Sequence, residues 1–228
     1  VWWAVFTVPL MLWLKDPDRG SRTTGVSTVR AGVSRLLVTF REVRKYRPVM
    51  IFLLAYWLYI DGVHTIIRMA IDYGMAIGLE SSSLLLALLV TQIVGFPATV
   101  VFGWVGQKVG PRPAIVTGLT VYLAITVWAV FMTQAWEFYV MAAGIGLVQG
   151  GVQSFSRSFY ADLIPAEKAT EFFGFYNLWG RFAAILGPMV MGVTALWTGS
   201  NRLSLLTLCV FFIGGAWLLM RIKTEETV

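Results

Sequence analysis

Residues 58–70 read LYIDGVHTIIRMA. An acid, the chain's single histidine and an arginine (Asp61, His64, Arg68) lie inside a run that is otherwise apolar. Spacings of three and four place them on one stripe of a helix, and Asp72 extends that stripe by another turn. Counted at 1.5 Å per residue from position 49, where the apolar run begins, Asp61 is roughly 18 Å in, near the middle of a bilayer. A charge at that depth costs on the order of 2.5–3.5 kcal/mol even on the lenient insertion scale. The stripe must therefore face other helices or a watery cavity, not lipid.

The rest of the chain supports a bilayer as the solvent. Of 228 residues, 57% are hydrophobic and 13% charged, with a mean hydropathy of +0.73, whereas soluble domains carry about 25% charged residues. Apolar runs of membrane-spanning length recur at 49–71, 83–105, 113–134, 137–157, 172–197 and 203–222. They predict an all-α membrane protein with a six-helix transmembrane bundle over 49–222. The alternation of a membrane β-barrel is absent. Ahead of the bundle, VWWAVFTVPLMLWL (1–14) reads as the end of a preceding transmembrane helix, 15–48 as a basic connector and 223–228 as a tail.

Charge sets the expected orientation. The connector holds nine basic and three acidic residues, an excess equal to the net charge of the whole chain, +6. Placing it in the cytoplasm brings Lys108, Arg112, Arg157, Lys168, Arg221 and Lys223 to the same side, and with them the C-terminus. Within the connector, Val33, Leu36, Leu37, Phe40 and Val43 recur at helical spacing between basic residues, the pattern of an amphipathic helix on the inner leaflet. Basic residues confined to one connector beside a span are no face for nucleic acid. The partners expected are the lipid bilayer and a small-molecule substrate.

Enzyme chemistry finds no foothold. One cysteine (Cys209) and one histidine leave no metal cage, no disulfide and no CxxC site, so no metal and no cofactor are expected. GIGLVQGG (144–151) has neither the spacing nor the preceding strand of a dinucleotide loop. Small residues there suit close helix packing.

Two segments carry a resemblance. GWVGQKVGPRP (103–113) resembles the cytoplasmic signature loop of the major facilitator superfamily: Gly103, Lys108, Gly110 and Arg112 match, while Gln107 stands where the usual acid would be. FLLAYWLYIDGVHT (52–65) and QSFSRSFYADLIPAEKATEFFGFYNLWGRFAAILGP (153–188) look like the branch that contains the autophagy-related vacuolar amino-acid effluxers and their bacterial relatives. The resemblance implies the second half of a twelve-helix carrier, built as two three-helix inverted repeats. It further implies an N-terminal six-helix half as partner, alternating access, and a small polar solute such as an amino acid. A bacterial or archaeal cytoplasmic membrane is the expected location. A non-transporting scaffold or receptor on the same fold is the alternative.

The candidate site residues are those that are costly in a membrane. Asp61 and His64 could bind substrate or exchange a proton, or Asp61 could simply pair with Arg68. Gln92, Gln149 and Gln153 should face inward, where amides find partners, and Asn177 and Arg181 lie one turn apart in the fifth span. A buried arginine can hold a carboxylate bidentately. Arg157, Asp162 and Glu171, with Glu167 and Lys168, flank the inner connector and resemble the superfamily's cytoplasmic gate, to which Gly103, Gln107, Lys108, Gly110 and Arg112 also belong. Gly180, Gly187, Pro188 and Gly192 mark the fifth span as bendable.

Overall fold

A computed structural model describes Thr7, Ser34, Leu36 and residues 38–222. The expectations for 1–14 and 223–228, and most of those for 15–37, lie outside the described residues. The chain divides into two units, Val1–Val38 and Thr39–Val228. In the first, the described residues Thr7, Ser34, Leu36 and Val38 are helical.

The second unit is helical, with no strand among its described residues. After helical residues 39–43 come α1 (Arg47–Ala76), α2 (Ser81–Val109), α3 (Pro111–Phe131), α4 (Ala135–Leu163), a 3-10 turn (Ala166–Lys168), α5 (Ala169–Ala183), α6 (Leu186–Thr198) and α7 (Asn201–Met220). Five stretches are long and apolar enough to cross a membrane: α1, α2, α3, the 166–198 pair that contains α5 and α6, and α7. With 29 residues, α4 reaches about 44 Å, but Gln149, Gln153, Ser154, Ser156 and Arg157 dilute its apolar character.

Local chemistry explains the boundaries. Pro48 starts α1 and Pro111 starts α3, where a missing N–H costs nothing. Between α2 and α3, Gly110 takes φ +92°, a conformation that favours glycine. Helix α4 begins with a capping box in which Glu137 Oε2 accepts from the N–H groups of Thr133 and Gln134, both at 2.8 Å. Gly199, at φ +66°, ends α6, and Ser200 caps α7.

The fifth expected span is not one helix. It is broken at Ala184–Ile185 into α5 and α6. Pro188 accounts for the position: its ring removes an N–H and clashes with the carbonyl four residues back, that of Ala184.

Packing runs through two layers of contact. Helix α1 lies against α4, α5, α6 and α7, while α4 packs on α2 and α3. The α2–α4 seam is a glycine seam. A Cβ on Gly146 would meet the Thr91 carbonyl oxygen at 2.6 Å, and one on Gly150 would meet Thr99 Oγ1 at 2.0 Å. Small residues thus let the two backbones touch, as the GIGLVQGG run predicts. Across the same seam Thr91 Oγ1 donates to the Ala142 carbonyl at 3.1 Å. Elsewhere the Tyr59 and Ser156 hydroxyls share a hydrogen bond at 2.7 Å, and Tyr73 donates to the Ala129 carbonyl at 2.6 Å. Large apolar side chains remain exposed on several helices, among them Phe96 at 80% on α2 and Trp197 at 87% on α6.

Candidate functional site

Helices α1, α4 and α5 line an open cavity of about 580 Å³. Its wall follows helical periodicity. Tyr56, Ile60, His64 and Arg68 line it from α1 at intervals of four, and Gln153 and Arg157 from α4. Tyr176, Asn177, Gly180 and Arg181 line it from α5, with Ala184 at the break. At one end the Tyr56 and Tyr176 rings stack with centroids 4.3 Å apart, and Tyr160 stacks on Tyr176 at 4.9 Å. Gly180 packs tightly on this floor, since a Cβ there would sit 3.0 Å from the Tyr56 hydroxyl.

Arg68, Arg157 and Arg181, all three exposed in this chain, line this cavity. Among the described residues no salt bridge involves any of them, and Asp61 is not paired with Arg68. His64 is half-buried, and its Nδ1 has no hydrogen-bond partner among the described residues.

Asp61 does not line the cavity. Its side chain is 1% exposed and points to the start of α6, where the Gly187 N–H donates to Oδ2 at 2.7 Å. The carboxylate thereby caps a helix N-terminus, whose first N–H groups lack intrahelical partners and favour negative charge. Asp61 Oδ1 and the fully buried Thr65 Oγ1 find no hydrogen-bond partner among the described residues. Gly187 fits between them because it has no side chain: a Cβ would meet Thr65 Oγ1 at 1.9 Å and Asp61 Oδ1 at 3.2 Å.

The remaining sequence candidates are distributed. Gln92 is exposed on α2, and Gln149 is half-buried on α4; neither lines the cavity. Asp72 lines a separate pocket of about 210 Å³ with Asn201 and Ser204. Of the loop residues, Gly103 has open space around it, and Gln107 and Lys108 are exposed. Arg112 donates to the carbonyls of Ile222, at 2.9 Å, and Met220, tying the start of α3 to the end of α7. Asp162 and Glu171 are exposed and make no salt bridge among the described residues.

The ion pairs that do form centre on Glu42. It accepts from Lys168 at 2.6 Å and from Lys45 at 2.7 Å, and these two hydrogen bonds hold its carboxyl at about 2, below the ordinary carboxylate value. The same segment places Phe40 against Phe175 and Tyr46 against Phe172, and buries Val43 completely. Phe40 and Val43, two of the five apolar positions expected to face the leaflet, therefore dock on protein, while Leu36 is exposed and Val33 and Leu37 lie outside the described residues. Extending the His64–Arg68 stripe backward by four and eight residues would have found Ile60 and Tyr56. For Thr65 and Glu42 the sequence gives no comparable signal.

Comparison with known proteins identifies the architecture. The family described as vacuole effluxer Atg22 like matches residues 1–227. The uncharacterized MFS-type transporter YxiO of Bacillus subtilis is 37% identical over 226 residues, covering 99% of this chain and 52% of that protein. Autophagy-related protein 22 of Yarrowia lipolytica is 28% identical over 258 residues, covering 99% of this chain and 43% of the relative. The same protein from Cryptococcus neoformans is 29% identical over 246 residues, covering 99% and 45%. The chain spans about half the length of these relatives, or less. This multi-pass membrane protein, apolar outside and polar in its cavity, belongs to the Atg22-like family of transporters, which is not an enzyme family.

Proposed function

We propose that the chain is the C-terminal six-helix half of a twelve-helix secondary carrier that moves a small polar solute by alternating access. One observation carries this reading: an open cavity of about 580 Å³ whose wall carries three arginines on an otherwise apolar helical bundle. Ionisable groups at membrane depth are expensive and mark solute pathways. Two three-helix inverted repeats would form this half, and an N-terminal six-helix half would face the open side of the cavity. The family is described as a vacuole effluxer, and an amino acid is one small polar solute that an arginine-bearing cavity could hold through its carboxylate. The positive-inside pattern supports a cytoplasmic connector and C-terminus, in a bacterial or archaeal cytoplasmic membrane.

In this reading His64, Arg68, Gln153, Asn177 and Arg181 contact the solute. The joint between α5 and α6 supplies the bend, and the Arg112 and Glu42 contacts hold the inner side. Asp61 is the acid through which proton movement would reach that joint. The full-length carrier containing this chain, reconstituted in vesicles with labelled solutes and an imposed proton gradient, tests the reading. Saturable accumulation is expected. Asp61→Asn should abolish gradient-driven accumulation and spare exchange of solute for solute. Ligand binding without flux of any solute would favour a scaffold or receptor, and full concentrative transport by Asp61→Asn would remove Asp61 from coupling.

A further inference from the structure

We infer that the ligand of this cavity is a soluble organic anion, a carboxylate or phosphate ester, an inference that rests on the carrier reading and sharpens it. The cavity repeats one device on three helices. His64 and Arg68 on α1, Gln153 and Arg157 on α4, and Asn177 and Arg181 on α5 each set an imidazole or amide one turn from a guanidinium. The wall therefore carries three permanent positive charges. Among the described residues no carboxylate lines it and no acid pairs with any of the three arginines. Asp61, next in sequence to the lining residue Ile60, is turned away toward Gly187, and Asp72, four residues beyond Arg68, lines a separate pocket.

Charge of one sign along low-dielectric walls focuses the field and concentrates the opposite ion. A guanidinium adds geometry to that field, since its paired N–H groups match two oxygens of a carboxylate or phosphate. The amides of Gln153 and Asn177 offer both donors and acceptors to hydroxyl or carbonyl groups on the rest of the solute. A cation or a neutral sugar would bring no counter-charge to any of these three guanidiniums.

The arginines are also staggered in depth. Helix α4 ends, and α5 begins, on the side where α1 starts. Counted from that side at 1.5 Å per residue, Arg157 lies roughly 9 Å in, Arg181 roughly 18 Å and Arg68 roughly 31 Å. An anion released by one guanidinium thus finds another further along the cavity, an arrangement suited to passage more than to permanent capture.

The test has a binding arm and a flux arm. The full-length carrier in nanodiscs of zwitterionic lipid is titrated at constant ionic strength, with the unfolding midpoint as readout. Succinate, glycerol phosphate and inorganic phosphate are compared with succinamide and glycerol. The anions should raise the midpoint saturably and the neutral analogues should not. Arg157→Gln and Arg181→Gln should each weaken the anions at least tenfold, and Arg181→Lys less. The titration of the unaltered protein decides the charge class even if a variant fails to fold. Equal binding of neutral analogues, or undiminished anion binding by both glutamine variants, would overturn the inference. So would a shift produced by anionic lipid in the discs to which soluble anions add nothing, since the site would then hold a headgroup. In the flux arm, anion binding without transport sinks the carrier reading and keeps the anion site. Transport confined to neutral or cationic solutes keeps the carrier and sinks the anion site.

Discussion

Replacing Gly187 by alanine should damage the fold more than any other single methyl addition to the joint between α5 and α6. The new Cβ would lie 1.9 Å from Thr65 Oγ1, 2.9 Å from Thr65 Cβ and 3.2 Å from Asp61 Oδ1. Thr65 cannot step aside easily, because it is fully buried and β-branched within α1. Overpacking of this kind costs about 1–3 kcal/mol. Moving α6 away would also break the 2.7 Å bond from Gly187 N–H to Asp61, a charge-assisted contact worth about 1.5–3 kcal/mol. The expected loss is therefore about 3 kcal/mol or more.

Asp61→Asn gives the contrast. It keeps an acceptor oxygen for the Gly187 N–H and should cost less than about 1 kcal/mol, while Asp61→Ala strands that N–H and should cost about 1–3 kcal/mol. The assay is the unfolding midpoint in mixed detergent micelles for the three single variants and for Thr65→Gly with Gly187→Ala. The double variant should recover part of the packing loss, because both close contacts on Thr65 disappear. Gly187→Ala within about 0.5 kcal/mol of the unaltered protein, the ordinary range of surface changes, would refute the clash and the capping role assigned to Asp61.

Three further outcomes follow from other contacts. With Cys209 replaced by serine, a cysteine at Ser200 should react with a membrane-impermeant thiol reagent from outside, and one at Pro111 only after permeabilisation; the reverse pattern would invert the orientation. Arg112→Ala should speed hydrogen exchange at the end of α7 and cost about 1–3 kcal/mol, since the carbonyls of Met220 and Ile222 both lose their donor; unchanged exchange at 218–222 would make that contact dispensable. Because the Glu42 carboxyl is held at about 2 instead of 4.5, its contribution is complete above the unfolded value and is lost as pH falls through the folded one. Exchange protection of 39–46, corrected for intrinsic rate, should stay level from pH 7 to pH 5, and Glu42→Gln should lower it across that range; loss of protection near pH 5 in the unaltered protein would contradict the bridge.

Hydropathy made the spans legible because a bilayer leaves the backbone few options. It could not show the break at Ala184–Ile185, since FAAILGPMVMG is as apolar as an unbroken helix and the run measures composition, not geometry. Pro188 was the available signal, read four residues back along its steric reach. The cavity was half legible. Costly residues at four-residue intervals named His64, Arg68, Gln153, Asn177 and Arg181, while Tyr56 and Tyr176 were hidden among many aromatics. Gln92 shows the limit of the burial argument, since an amide in an apolar run need not face this half's interior. The Glu42–Lys168 contact joins residues 126 apart, and local sequence carries no record of which connectors meet.

Helix α1 joins these observations physically. One face of it presents Ile60, His64 and Arg68 to the cavity, while Asp61 and Thr65 hold the start of α6. Helix α5 lies between these contacts, with Asn177, Gly180 and Arg181 in the cavity and the break beginning three residues after Arg181. A ligand that draws Arg181 toward His64 and Arg68 therefore pulls on a short helix whose far end is already cut. Helix α6, fixed to α1 through Asp61, need not follow. The proline break, the carboxylate cap and the arginines thus lie close together on α1, α5 and α6, and under the proposed carrier reading ligand charge and the α5–α6 joint would act on the same few residues.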